Sequence, residues 1–280
     1  MTRHIACLTF DFDAISIWIS RGMTSATPIS RGEFGIIGAR RILALLKQYE
    51  IVSTWFIPGH TVETFPRACE EVLHAGHEIA NHGWTHMSPL AMSREQEEAE
   101  LMRANESIRA LSGRAPRGYR SPVWDHSPHT VELLLQHGFL YESNLMANDY
   151  SPYRTRMGDI IELEKPAVLG PETRLIEIPV SWSLDDAPHF ELVRTPNWVQ
   201  PGLANATNVL ENWVDDFVYM TRTTDWGALT YTFHPYCIGR GHRMLMLEKL
   251  IQGLLEHRAV FLPLSSVAEE FDQRAPFPAH

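Results

Sequence analysis

Two imidazoles four residues apart, in His82-Gly-Trp-Thr-His86, can face one metal ion from a single helical turn or a tight loop. Two carboxylates flank one aromatic residue in Asp11-Phe12-Asp13, at the end of an apolar run that reads as a strand; alternation puts both on one face and lets Phe12 turn into the core. Taken singly, each motif has a plainer reading, the histidines as surface or capping residues and the aspartates as a pair capping the next loop. Taken together, they supply the two histidines and one carboxylate that form a hydrolytic metal site when a fourth position stays open to water. His234, followed by Pro235, is a candidate for proton transfer or simply a strand-end histidine. Arg120 is either a structural ion-pair partner or part of the site, and pairing with Asp11 satisfies both. His60, His77, His126, His137, His189 and His242 lack such company and read as caps, surface or core.

These residues need elements to carry them. Strand-like runs at His4–Phe10, Val52–Ile57, Glu78–Ala80, Gly118–Arg120, Leu140–Glu142, Leu175–Val180, Ala228–Phe233 and Ala259–Leu262 alternate with helical patterns. The helices are expected at Ile36–Tyr49, Thr61–Ala75, Ser93–Leu111, Pro128–His137, Ala204–Thr221 and His242–His257. Ser93 with Gln96 forms a capping-box pattern, Ser127-Pro128 marks a helix start, and Gly76 and Gly138 mark stops. Such alternation implies an α/β fold on a parallel sheet. Nearly every strand ends in a polar or unusual residue: Asp11 and Asp13, His60, His82, Arg120, Ser143, Trp182 and His234. Barrel enzymes build their sites at the carboxyl ends of strands in this manner, so a distorted, TIM-barrel-like (β/α) barrel of seven or eight strands is expected. Residues 14–35, 146–173 and 183–203 read as long irregular loops that wall a pocket with Trp18, Tyr150, Tyr153 and Trp198.

Composition narrows the function further. A chain of 280 residues with no Pro/Ser/Gly-rich or charged divide reads as one domain over 1–280. A net charge of −10 argues against nucleic acid and anionic membrane surfaces, which need a basic footprint. No apolar run reaches the roughly 18 residues of a membrane span, and no export signal is visible, so a cytoplasmic location is expected. Cys7, Cys69 and Cys237, an odd number without CxxC spacing, read as reduced structural thiols.

Five ordered motifs give the chain a resemblance: Leu8-Thr-Phe-Asp-Phe-Asp13, Gly76-His-Glu-Ile-Ala-Asn-His82-Gly-Trp-Thr-His86, Arg117-Gly-Tyr-Arg-Ser-Pro122, Tyr141-Glu-Ser143 and Thr232-Phe-His-Pro235. With these motifs the chain resembles the polysaccharide deacetylase superfamily, carbohydrate esterase family four, the nodulation-deacetylase homology domain. The resemblance implies Asp11 as general base, Asp13, His82 and His86 as metal ligands, Arg120 orienting Asp11, and His234 as general acid. It implies a divalent metal cofactor, zinc first, with cobalt, manganese or iron compatible with the same donors. Trp84, Ser143 and Trp182 are expected to contact substrate.

Two features depart from the family pattern. Typical members carry adjacent aspartates followed by glycine, whereas here Phe12 intervenes and Ala14 follows, which blurs the division between base and ligand. Gly83 and Trp84 precede Thr85, which points to a bulkier pocket and a smaller substrate. Downstream, Leu175–Trp182, Asp185–Phe190 and His234–Arg240 are similar to the subgroup holding cyclic-imide hydrolases, allantoinase-like enzymes and an intracellular peptidoglycan-deacetylase-like branch, whose members tend to be homo-oligomers. The expected function is therefore metal-dependent hydrolysis of a non-peptide C–N bond in a small amide, cyclic imide or N-acetylated sugar. A peptidoglycan or chitin-oligomer N-deacetylase is the alternative, and a non-catalytic carbohydrate-binding barrel a third reading.

Overall fold

The computed structural model describes residues 2–195 and 197–278. Its strands are β1 (Arg3–Asp11), β2 (Thr54–Ile57), β3 (Glu78–Asn81), β4 (Gly118–Tyr119), β5 (Tyr141–Glu142), β6 (Tyr153–Arg156), β7 (Glu172–Glu177), β8 (Val193–Arg194), β9 (Val199–Gln200), β10 (Trp226–Phe233) and β11 (Val260–Phe261). The helices are α1 (Ser16–Ser20), α2 (Ala26–Gln48), α3 (Gly59–Thr64), α4 (Pro66–His74), α5 (Arg94–Ser112), α6 (Thr130–Gln136), α7 (Asp186–Phe190), α8 (Ala206–Thr223), α9 (Pro235–Ile238), α10 (Gly241–Glu256) and α11 (Leu264–Arg274).

Residues Ile5–Asp11 of β1 are buried without interruption, the pattern of a strand covered on both faces in a parallel sheet. This strand is the spine. It pairs along its length with β10, and on its other side with β2 above and β11 below. The sheet runs β10-β1-β2-β3-β4-β5-β7-β6, all parallel except the edge strand β6. Between β7 and β10 no ladder forms among the described residues; only the isolated bridge Asp185–Thr232 crosses that side. The fold is the expected distorted (β/α) barrel, with its irregular side between β7 and β10. Phe10 stacks between Trp55 and Phe233, at 4.7 and 5.4 Å between ring centres, and ties the three strands together inside the core.

Several expected boundaries move, each for a physical reason. Residues 14–35 are not a loop: α1 lies there, and α2 begins at Ala26 rather than Ile36. Gly32, Gly35 and Gly38 weaken the helical pattern of that stretch, but at Gly32 and Gly38 the tertiary contacts leave no room for a side chain. A Cβ at Gly32 would lie 2.5 Å from the Ala14 carbonyl oxygen, and one at Gly38 only 2.0 Å from the Pro235 carbonyl oxygen. The single helix expected at 61–75 is split by Pro66, which starts α4 because it cannot continue α3. Residues 146–173 hold β6, and 183–203 hold α7 and the β8–β9 hairpin. Helix α11, absent from the sequence reading, buries Leu264, Val267 and Ala268 on one face.

Cys7, Cys69 and Cys237 are free and buried, and burial pushes the Cys69 thiol up to about 12, so it stays an unreactive thiol. No helix among the described residues is long and apolar enough to cross a membrane.

The close approach of α2 to α9 makes a direct prediction. Gly38→Ala forces a methyl group into the Pro235 carbonyl and should cost about 1–3 kcal/mol, the range for overpacking. Gly241→Ala, where a Cβ meets nothing within 4 Å, is the control. Urea melts of both variants check this: the Gly38 variant alone should lose midpoint.

Candidate active site

Both aspartates of the Asp11-Phe12-Asp13 segment reach the carboxyl end of the sheet, because Phe12 turns inward. Its ring is fully buried and packs edge-on to Trp55 at 5.8 Å. Asp11 is the last residue of β1, while Asp13 lies just past it where the chain bends at Ala14. Ala14, at the position where the family pattern has glycine, takes a positive φ of 48°. His82 follows β3, His86 follows a turn at Gly83, and His234 caps α9 after β10. Gly83, His86, Val123 and Trp124 also have positive φ, so left-handed backbone gathers around this end of the barrel. Such strain persists only where the surroundings over-determine it, and it clusters at functional sites.

The aspartates have distinct partners. Asp11 Oδ1 accepts from Arg120 Nη1 at 2.8 Å, and its Oδ2 lies 3.8 Å from His82 Nε2. Asp13 accepts no hydrogen bond through either buried oxygen. It faces His82 Nε2 at 3.4 Å, His86 Nε2 at 3.5 Å and His234 Nε2 at 3.8 Å. His82 Nδ1 donates to the Arg120 carbonyl at 2.7 Å, which turns Nε2 toward the aspartates. One ligand atom from each of Asp13, His82 and His86 falls within 4.8 Å of the others. A buried carboxylate left bare is strongly unfavourable unless a cation lies beside it. The orphaned oxygens, and a donor set of two imidazoles and one carboxylate, therefore fit a divalent ion.

Charge tuning follows from the same geometry. Burial pushes the Asp13 carboxyl up, but His86 and His82 more than offset it and hold it well below the usual carboxylate range. Burial lowers His86 to about 4, which leaves a neutral imidazole with a free lone pair. His234 is opposite in character. Burial opposes its charge, yet Asp185 and Asp186 outweigh that and raise its pKa well above the ordinary histidine value. Its Nδ1 lies 2.8 Å from Asp186 Oδ1, and its backbone N–H donates to the same carboxylate at 3.1 Å. A protonated His234 can hand a proton outward from Nε2.

Arg120 is the fixed point beneath the site. It is fully buried, donating to Thr9 Oγ1, Asp11 Oδ1, the Ser143 carbonyl and Ser143 Oγ at 2.8–3.1 Å, with its guanidinium 4.2 Å from the Phe56 ring centre. Above it opens a pocket of about 380 Å³ lined by Asp11, His82, His86, Asp185, His234 and a wall of Trp124, Trp182 and Trp198. Trp124 and Trp182 stack at 4.2 Å.

Asp11, Asp13, Arg120, His82, His86 and His234, the residues expected to share a site, are gathered at one end of the barrel. Of the expected substrate contacts, only Trp182 lines the pocket. Ser143 is buried beneath it and serves Arg120 instead. Trp84 turns outward, donating to Glu63 at 3.0 Å beneath the Arg103 guanidinium, because Gly59 leaves room for its ring on that side. Trp84 therefore does not narrow the pocket, and the inference of a smaller substrate from its bulk falls. Trp18, Tyr150 and Tyr153 also lie outside the lining, with Trp18 wholly buried and Tyr150 bonded to Asp216. Asp185, Asp186 and Trp124 were missed. The adjacent acidic pair at 185–186 was the available signal, obscured because its segment read as an irregular loop.

Comparison with known proteins gives a consistent picture. A family model described as polysaccharide deacetylase matches residues 38–141. A Helicobacter pylori protein named peptidoglycan deacetylase is 39% identical over 95% of this chain and 95% of its own length. A crystal structure from Mycobacterium smegmatis, described as a putative polysaccharide deacetylase, superposes with a TM-score of 0.86 at 28% identity, covering 100% of this chain and 93% of that one. An allantoinase structure, at 20% identity and a TM-score of 0.79 over 99% of this chain and 93% of its own, shares the fold.

The Arg120 network yields a stability prediction. Arg120→Ala strands Asp11 and the Ser143 groups without their cation and should cost about 3–5 kcal/mol, the usual penalty for breaking a buried pair from one side. Arg120→Lys cannot rebuild four directional contacts and should recover only part of that loss. Chemical denaturation of the two variants beside the parent protein measures both differences.

Proposed function

We propose that this chain, which belongs to the polysaccharide deacetylase family, removes acetyl groups from the N-acetyl amino sugars of a peptidoglycan-type glycan, using a divalent ion held by Asp13, His82 and His86. It is a hydrolase of carbon–nitrogen amide bonds. The observation that carries the reading is a bare, buried Asp13 facing His82, His86 and His234, with the arginine-bound Asp11 and these three histidines lining one pocket. The substrate class comes from the likeness to the Helicobacter protein over nearly the whole chain.

The chemistry is divided among the side chains. A divalent ion in this donor set supplies polarisation of the amide carbonyl and acidification of a bound water. Asp11, with one oxygen fixed on Arg120, takes the proton of the attacking water through its other oxygen. His234 passes its Nε2 proton to the departing nitrogen, a poor leaving group without it, while Asp186 anchors the ring through Nδ1. Trp182 and Trp198, each about half exposed, offer flat apolar faces against which a pyranose ring can stack.

A second reading, hydrolysis of a small cyclic imide or amide, rests on the same aromatic wall, which encloses a pocket of about 380 Å³ suited to a compact ligand. Metal-loaded protein incubated with peptidoglycan fragments, N-acetylglucosamine oligomers, cyclic imides and ureides separates the two. Acetate release from the glycans is expected; turnover confined to imides would transfer the assignment to the second reading, and no turnover on any would remove both.

Two variants test the roles. Asp11→Asn should retain its metal by elemental analysis and lose at least about 100-fold in kcat, as expected for a general base; loss of the metal would make Asp11 a ligand. Asp186→Asn removes a charge that holds the His234 proton, so the folded pKa of His234 falls. The alkaline limb of the pH–rate profile, where that proton is lost, should accordingly move to lower pH than in the parent enzyme. An unmoved limb would exclude His234 as the acid.

A further inference from the structure

One cation in the pocket has no part in the chemistry above. Arg21 closes α1 and lines the same pocket as Asp11, His82, His86 and His234. It lies close enough to His86 to help lower that pKa. Its guanidinium donates no hydrogen bond among the described residues. The nearest carboxylate oxygen is Glu191 Oε2 at 3.9 Å, and the guanidinium lies 5.5 Å from the centre of the buried Trp18 ring.

Glu191 lies at the edge of ion-pair reach and takes no hydrogen bond from it. That carboxylate is already held by Arg31, which donates to Oε1 at 3.0 Å and to the Leu192 carbonyl at 2.8 Å, and by the Tyr236 hydroxyl, which donates to Oε2 at 2.9 Å. Two guanidinium groups thus share one carboxylate, and Arg21, at the longer range and on the pocket side, keeps its N–H donors free. Trp18, sandwiched against both arginines, keeps Arg21 over the site rather than free in solvent. A fork of free, positively charged N–H donors is matched by a carboxylate, bidentate and charge-assisted.

We propose that Arg21 is a specificity-determining residue that binds a carboxylate of the substrate beside the scissile amide, so that the site favours an N-acyl amino sugar bearing an acid group over a neutral one. In a peptidoglycan-type glycan, this selects the lactyl-substituted sugar where its carboxyl is not joined to a peptide. The proposal rests on the deacetylase reading for its substrate class, but Arg21 acts in binding and is testable without turnover.

The experiment measures the affinity of the zinc-loaded protein for N-acetylmuramic acid and for N-acetylglucosamine by ligand-observed NMR titration, in the parent protein and in Arg21→Gln and Arg21→Lys. The parent should bind the acid about tenfold or more tightly than the neutral sugar, the usual size of a charge-assisted hydrogen bond. Arg21→Gln should collapse that ratio toward one, and Arg21→Lys should restore part of it. Equal affinity in the parent, failure of the acid to bind, or a ratio unchanged by Arg21→Gln would each overturn the proposal. An acid preference that depends on Arg21, in a protein that deacetylates neither sugar nor glycan, would uphold it while removing the catalytic reading.

Discussion

The guanidinium of Arg120 sits where no water reaches, and its neighbours must satisfy it. They come from three separate strands: Thr9 and Asp11 on β1, Ser143 just past β5, and Phe56 of β2 beneath its plane. Its own backbone carbonyl accepts from His82, so the same residue that fixes Asp11 also fixes the tautomer and aim of a metal-ligand candidate. Thr9 passes the constraint onward by donating to the Tyr231 carbonyl on β10. A buried charge of this kind is a weak source of net stability, but it is intolerant of any arrangement other than the one that satisfies it. Positional accuracy at the site follows from that intolerance.

The site has two halves with different mechanical origins. Asp11, Asp13, His82 and His86 stand on or just past strands joined by continuous parallel ladders. His234 also follows such a strand, but the carboxylates that charge it come from the side of the barrel where β7 and β10 share no ladder. There the chain between them crosses by one bridge, Asp185–Thr232, and Asp186 takes over the work of hydrogen bonding to the His234 backbone. An incomplete barrel thus leaves room for two acidic residues at the point where a proton donor must be kept charged. The long segments around this end are anchored rather than loose: the Trp124–Trp182 stack and the β8–β9 hairpin hold the pocket wall.

Glycine plays a quieter part on the opposite wall. Gly38 of α2 and Gly239 after α9 come so close that a Cβ on Gly239 would lie 2.4 Å from the Gly38 Cα. That contact holds the turn after His234 close against α2. Glycines at 32 and 38, where a Cβ would meet backbone, are what allow α2 to pack so closely.

Periodicity and strand-end chemistry made much of this protein legible in the sequence. The eight parallel strands, the capping box at Ser93, and the company of Asp11, Asp13, Arg120, His82, His86 and His234 all follow from local pattern and from motif order, because strand-end residues of a parallel barrel share one face whatever the details between them. Which aspartate does what did not follow: Phe12 separates them in the chain, and only its burial against Trp55 shows that both reach the same mouth with different partners. The outward turn of Trp84, the service of Ser143 to Arg120, the contact of Asp186 with His234 and the place of Arg21 in the pocket lining were likewise settled by tertiary structure alone. Each depends on distances between segments far apart in sequence, and a side chain's protonation, partners and direction are properties of its surroundings rather than of its place in the chain.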